Sequence, residues 1–485
     1  MSKSKYQKYK SSLIGTLLYI LGMSSILGIA SLNVYITSYI KIKQNWVSMH
    51  YGLFLPPILT LCITCANPLG GYIEKKIGFH YSIILGNIIF LIGIFGLYLT
   101  QNIWLCYFFF VVIGASCFSL GIPLKNILFY VPEKKGFINA IFGITIQICG
   151  TFYVFIGEVM INKKGYSLKG KETVYPEDVA RNTPKFYIVE MISAPIFTLL
   201  SLFFIYVYDS SYENENNDDI ENSFTSFLEE NNINTLSNLI PNLENNTLTP
   251  TNNKNEEEDK KEKDEKYKND IKKAIKSKQF WLLCGISFCV NFLIRFVSLT
   301  FRIFGALIGM QGDIFKYLGF LITFTMVISA LIWGCVVDKY GSKKILKITC
   351  AGCVFLGIIL FFSINNTFYF IVSITLSMIN VSGFSTAITP HIMDVFTIKY
   401  SLEIGGLISL FSGLNSVVCS VLSFIISFYY TTGEQLKVPY RIIYICGAIL
   451  SFIGFVLNYY ETGEKFNFDD DKNVTTDNGE QNIIN

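Results

Sequence analysis

Gly334-Cys335-Val336-Val337-Asp338-Lys339-Tyr340-Gly341-Ser342-Lys343-Lys344 leaves one apolar run, 317–337, and enters another, 345–363. Each run is long enough to cross a bilayer as a helix. The turn between them holds a glycine, an aspartate, a base, a second glycine and two more bases. Gly71-Tyr72-Ile73-Glu74-Lys75-Lys76-Ile77-Gly78 repeats the glycine-to-glycine spacing between the second and third apolar runs of the chain. The same device at matching places in two halves marks a duplicated helical bundle.

The bulk composition agrees. Of 485 residues, 51% are hydrophobic and only 15% charged, against about a quarter charged in soluble domains. Mean hydropathy is +0.44. A soluble chain with that balance exposes large apolar patches, so a bilayer is the solvent for much of this one. The net charge of +3 is scattered rather than gathered in one stripe, which argues against a nucleic-acid partner. The twelve cysteines fall inside apolar runs. Cys62/Cys65 and Cys350/Cys353 have CxxC spacing, but no histidine or further cysteine stands at ligand spacing. They read as small apolar filler, with no metal site, cofactor or disulfide framework expected. No GxxxxGK[ST] loop is present, which excludes ATP-driven chemistry of that type. With three histidines and no nucleophile–base pattern, no enzymatic reading arises.

In chain order, 1–12 form a basic terminus and 13–208 a first bundle of six runs: 13–39, 50–72, 79–100, 103–124, 136–160 and 186–208. The first run is too long for a signal-peptide core and reads as a retained span, with no transit peptide before it. Residues 281–460 form a second bundle of six: 281–304, 317–337, 345–363, 367–390, 404–430 and 440–460. Between them, 209–280 read as a linker. Its Asn/Glu-rich part, 209–265, has too little apolar surface to order itself. At its end, 266–280 become basic and periodic (Ile271, Ile275, Phe280), as in a short interfacial helix. The acidic tail 461–485 reads as disordered. Gly405, Ser409, Ser412 and Ser416 give the eleventh run a small face suited to close packing.

Lysines set the orientation. The basic terminus, Lys75-Lys76, Lys134-Lys135 and Lys339/Lys343/Lys344 share one side if both termini are cytoplasmic, while Gln101-Asn102 and Asn365-Asn366 on the other side carry no charge. Lys41/Lys43 and the longer segment 162–185 go against the rule. A plasma membrane is the default location, with an organelle membrane open.

The paired Gly–acid–base–Gly turns resemble the loop signature of the major facilitator superfamily, between spans two and three and spans eight and nine. Gly334, Asp338, Lys339, Gly341 and Lys343 match in the second copy. The first departs, because Lys75 occupies the acid's place and Glu74 sits one residue early. The resemblance implies that the acid faces a neighbouring helix N-terminus and favours one closed state. Gly121-Ile122-Pro123 and Tyr130-Val131-Pro132-Glu133-Lys134-Lys135-Gly136-Phe137-Ile138-Asn139-Ala140-Ile141-Phe142-Gly143 resemble the fourth-to-fifth-span signature of the monocarboxylate transporter and oxalate:formate antiporter branch. Phe280-Trp281-Leu282-Leu283 and Pro390/Asp394/Phe396 resemble it too. The implied fold is an all-α integral membrane protein of twelve helices in two pseudo-symmetric six-helix bundles. The implied activity is alternating-access transport of a small organic anion, a mono- or dicarboxylate, by proton symport or anion exchange. The chain lacks the acidic-Gly opening and the Asp–Arg pair of the animal carriers, and the antiporter's lysine. Cargo identity is therefore not carried over.

Ionisable residues inside spans are the candidates for function, because each costs several kcal/mol in lipid unless it meets a cavity or partner. Arg295 and Arg302, seven apart in the seventh span, share one face with Asn291 and Ser298. Two guanidinium groups there suit a carboxylate; Arg302 also reads as an arginine reaching the interface. The resemblance points to spans one, four, seven and ten as the cavity lining. Further substrate candidates are Tyr35 and Asn33, Ser119 and Ser116, and Asn380 and Thr375, each equally readable as helix-packing glue. Gating candidates are Asp338, Lys339, Gly341, Gly334, Glu74 and Gly78. Glu158 and Glu190 are proton-coupling candidates or solvated span ends. Lys125 reads as a snorkelling lysine, and His391 beside Asp394 as a helix-end cap. The expected partners are a small anionic solute, protons and lipid, with no obligate protein partner. An amino-acid, drug or other small-solute carrier, or a non-transporting receptor on this scaffold, remain the alternatives.

Overall fold

The computed structural model describes residues 3–47, 49–163, 166, 175–208, 253–307, 312–363, 366–429 and 433–468. The described residues form helices and connections, with no strand among them. In a bilayer that is the only open-ended solution, since each backbone N–H and C=O must be satisfied within its own segment.

Among the described residues, ten helices are long and apolar enough to cross a membrane. One of them, Thr367–Tyr429, is two spans merged across a kink at Thr397 (φ 62°, ψ 157°). The second span lies outside the ten because it is broken into Leu55–Ala66 and Leu69–Ile77, with Pro68 at the break supplying no N–H. Twelve spans result, as expected. Span 1 is likewise segmented, as Lys3–Met23, Ser25–Ser31 and Asn33–Lys41. Span 4 changes pitch through a 3-10 turn at Cys117–Ser119.

Each half has its own core. One cluster gathers buried residues from Tyr19 to Ile205, and another those from Tyr267 to Phe468. Outward faces stay apolar: Ile88, Ile92, Phe95 and Leu99 of span 3 are 48%, 55%, 53% and 64% exposed, a stripe that only lipid covers without penalty. Two inter-half contacts dominate: span 5 (Lys135–Ile161) against span 8 (Gly312–Tyr340), and span 2 against span 11. These pairs exchange under the two-fold that the repeated turns imply. Glycine makes both crossings possible. Gly334 lies against Ala140 and the Gly136 carbonyl with no room for a side chain, and Gly406 lies against the Pro68 backbone.

The linker departs from expectation. Its helix covers Asn253–Lys276, far longer than the 266–280 segment and reaching into the tract read as unable to order. Glu256/Lys260, Glu257/Lys261, Asp259/Lys263 and Glu262/Lys266 stand at i,i+4, which supports a helix without a core. Residues 209–252, most of 164–174 and the tail from 469 lie outside the described residues.

The two turns agree in backbone as well as in sequence. Gly78 has φ 88° and Gly341 φ 89°, which L-residues avoid. A Cβ at either would meet no atom within 4 Å, so any penalty is conformational alone. Gly78→Ala and Gly341→Ala are each expected to cost about 1–3 kcal/mol, read as a lower unfolding temperature in detergent; an unchanged temperature would refute the strain.

Candidate functional site

A cavity of about 350 Å³ lies between the halves. Spans 1, 2 and 5 line it from one half through Ser31, Pro56, Pro57, Thr60, Gln147 and Thr151; spans 7 and 11 line it from the other through Arg295, Ser298 and Ser416. Arg295 supplies the only charge among the lining residues described. Its Nη2 is 3.5 Å from Ser412 Oγ and its Nε has no hydrogen-bond partner. A guanidinium turned into a sheltered polar cavity without a carboxylate is electrostatically incomplete.

The other candidates fall elsewhere. Asn291 donates to Ser287 O (2.8 Å) within its own helix. Asn380 donates to Thr349 O (2.9 Å), tying span 10 to span 9. Ser119 bonds Tyr19 OH at 2.5 Å between spans 4 and 1. Tyr35 stacks on Tyr175, ring centroids 4.3 Å apart, and Asn33 donates to Gly52 O. Ser116 and Thr375 donate to carbonyls of their own helices. The Arg302 side chain lies outside the described residues. No described residue of span 4 or span 10 lines this cavity; Ser119, Asn380 and Thr375 bond within their own half. Glu158 is exposed at the end of span 5. Glu190 is fully buried, and neither carboxyl oxygen has a partner.

At the end of the bundle that carries both termini, a polar clamp joins the halves. Asp338 accepts from the Gly136 and Phe137 N–H groups at 2.7 and 2.9 Å. It caps the N-terminus of span 5, where the helix dipole favours an anion. Lys135 pairs with Asp394 across the same interface, and Asp394 accepts from Ser342 Oγ at 2.5 Å. Ser342 also meets His391 Nδ1 (3.2 Å), and His391 Nε2 meets Glu461 (3.0 Å). His391 and Asp394 thus belong to one hydrogen-bonded network, buried at His391 and Glu461 and partly exposed at Asp394, rather than a simple helix cap. Lys339 lies over the Tyr340 ring at 5.3 Å.

The first repeat closes differently. Lys75, standing where the acid would be, sits over the ring of Tyr267 on the linker helix. Tyr267 donates to Glu403 at the start of span 11 and stacks on Tyr400, centroids 4.9 Å apart. Burial and the Glu403 carboxylate push the Tyr267 phenol up, which keeps it a donor. Glu403 crowds Gly71. Glu74 instead pairs with Lys125 at 3.1 Å, so that lysine is an ion-pair partner. Beyond the cavity, at the opposite end, Phe54 and Phe424 meet across the halves at 5.5 Å.

A model of the Major Facilitator Superfamily matches residues 12–312 and 283–472. The chain belongs to that superfamily. As such it is a secondary transporter and a multi-pass integral membrane protein, in a family of transporters rather than enzymes. Comparison with the curated proteins gives no match. Among solved structures, the fold is similar to XylE, a proton:xylose symporter of the superfamily, with TM-score 0.62 at 11% identity over 94% of this chain and 95% of that one. It is also similar to the Escherichia coli fucose:proton symporter FucP, with TM-score 0.58 at 12% identity over 93% and 98%.

Gln147, Thr151 and Thr60 escaped the sequence reading, although a glutamine inside an apolar span was a legible signal, and Ser416 was read there as a packing residue. Tyr267, Glu403 and Glu461 escaped it because their partners lie far away in the chain.

Asp338→Asn removes the charge that caps span 5 but keeps an acceptor. It is expected to favour the state open at the termini end by up to about tenfold, seen as faster labelling of Asn139→Cys from that side with solute affinity unchanged; an equal loss of affinity would count against a gating role. Burial alone would raise the Glu461 carboxyl, but His391, the Gly463 N–H and Lys343 outweigh it and hold it below its ordinary 4.5. Its contribution is therefore complete above that value and lost as pH falls through the depressed one. Protease protection of 461–468 is expected to fall as pH drops from about 7 to about 3, and Glu461→Gln to flatten that profile.

Proposed function

We propose that this superfamily member carries a small organic anion, a mono- or dicarboxylate, bound at Arg295 in the cavity between the halves. The observation that carries the reading is the unneutralised guanidinium. A charged group in a membrane interior costs several kcal/mol unless it meets a partner, and no lining residue described is a carboxylate. A carboxylate from the cargo supplies that partner in fork geometry. Ser298, Gln147 and Thr151 line the same cavity and supply hydroxyl and amide groups for the remainder of the solute. The likeness of 121–143 to the monocarboxylate and oxalate:formate branch supports the same cargo class. A cation is disfavoured by the same charge.

The clamp at Asp338 and the aromatic contact at Phe54/Phe424 lie on either side of the cavity, as alternating closures require. Coupling by proton symport rests on Glu190. Its carboxyl is fully buried in span 6 with no hydrogen-bond partner on either oxygen, which makes it the candidate for carrying the proton. Anion exchange needs only Arg295, vacated and refilled. The lysine distribution supports a cytoplasmic termini end, with a plasma membrane as the default and an organelle membrane as the alternative.

A sugar cargo is the second reading, favoured by the solutes named for XylE and FucP and by the hydroxyl and amide lining. It leaves Arg295 without a counter-charge. Proteoliposome counterflow with labelled lactate, pyruvate, formate, oxalate, dicarboxylates and xylose separates the two. One or more carboxylates are expected to exchange, and Arg295→Ala to weaken uptake at least about tenfold with the protein still inserted. Glu190→Gln is expected to remove the response to a pH gradient while leaving exchange. Xylose exchange alone, or carboxylate exchange indifferent to Arg295→Ala, would overturn the assignment.

A further inference from the structure

A second cavity, of about 230 Å³, lies between spans 5, 8 and 10. Gln147 lines both cavities. Along span 5, Val154, Thr151 and Gly150 border the first cavity, and Ile144, Gly143, Ala140 and Asn139 border the second. One turn further on is Gly136, whose N–H Asp338 holds. Positions 136, 140, 143, 147, 150 and 154 recur at three- and four-residue steps, so one helix face runs from the Arg295 cavity to the clamp. The lipid-side row of the same helix, Ile148, Phe152, Phe155 and Val159, is exposed and stands roughly 130° round the axis.

The second cavity has a mixed, uncharged lining: Asn139, Gln147, Ser382, Ser385 and Thr386 supply amides and hydroxyls among apolar residues such as Phe142 and Met326, and no lining residue described is ionisable. Ser385 is exposed, yet it lies about half a turn from the exposed Val372 and Leu376 of its own span. Its exposure is therefore to the inter-half space. Gly143 is the second sign of a used volume. Gly136 and Gly150 accommodate Asp338 and Leu27, whereas a Cβ on Gly143 would meet no atom within 4 Å. Glycine is a poor helix former, and no neighbouring helix requires it here. What its missing side chain provides is room.

We propose that this neutral chamber is a second station for the transported solute, between the Arg295 site and the Asp338 clamp, with Gln147 as the amide that passes the solute from one to the other. The cargo class rests on the carboxylate reading above; the existence of the chamber does not. A carboxylate that leaves a guanidinium for amides and hydroxyls loses its charge partner and is held more weakly. The station next to the clamp is then one of release. Solute passing through it requires the volume that Gly143 leaves open.

Two measurements test this independently. Gly143→Cys is labelled in proteoliposomes with the charged reagent sulfonatoethyl methanethiosulfonate and with an apolar maleimide, against the unsubstituted protein. The charged reagent is expected to react about tenfold faster with the substituted protein; reaction with the maleimide alone would make the volume a lipid-filled fissure and overturn the station. Gly143→Leu, which fills the chamber, is expected to cut pyruvate counterflow at least about tenfold while pyruvate binding at Arg295 stays within about twofold. Wild-type flux in Gly143→Leu would overturn the proposal. Absence of any pyruvate binding would sink the cargo reading alone, with the labelling result still deciding the chamber.

Discussion

A charge placed in a bilayer needs a partner, and that constraint orders the polar chemistry of this protein. At the termini end the requirement is met inside the chain: Asp338 by the span-5 N–H groups, Lys135 by Asp394, Lys125 by Glu74. At the centre, Arg295 meets no carboxylate among the lining residues described, and its Nε has no hydrogen-bond partner. The clamp holds itself together, while the cavity presents a guanidinium with no carboxylate among its described lining residues. A transporter needs that difference, because a gate must close without cargo and a site must not be satisfied without it.

The two repeats solve the closing problem with unlike chemistry. In the second, an acid on the loop meets a helix N-terminus on the opposite half. In the first, the loop presents Lys75, and the acid comes from Glu403 through Tyr267 of the linker helix. The departure from the superfamily pattern is thus compensated by a residue outside both bundles. The linker helix is part of the closure as well as a connection. Tyr267, Tyr400 and Phe468 stack in series, with centroid spacings of 4.9 and 4.4 Å. They clamp the kink at Thr397, where a β-branched residue at positive φ carries strain.

Much of this was legible in the residues. Twelve runs of bilayer length, two turns with glycine at one spacing, and an arginine deep in the seventh span follow from composition and position. The turns were legible because a left-handed backbone admits glycine and little else. The cavity lining was not. In a soluble protein the polar face of a helix points to water, but here lipid is as apolar as a packed neighbour, and the periodic signal that separates outside from inside fades. Asn380, Ser119 and Tyr35 look like cavity residues in sequence and turn out to bind their own half.

By itself the sequence determined the spans, their duplication, the positions of the sharp turns and the presence of a costly buried charge, because each is a local consequence of hydropathy or backbone sterics. Only the tertiary structure decided which polar groups share the cavity, which acid meets the first repeat, and that the linker helix packs against span 11 beside it. Those depend on pairings such as Lys135 with Asp394 and Tyr267 with Glu403, whose partners stand 259 and 136 residues apart. No local pattern encodes a meeting at that distance; it is set by how two helical bundles lean together.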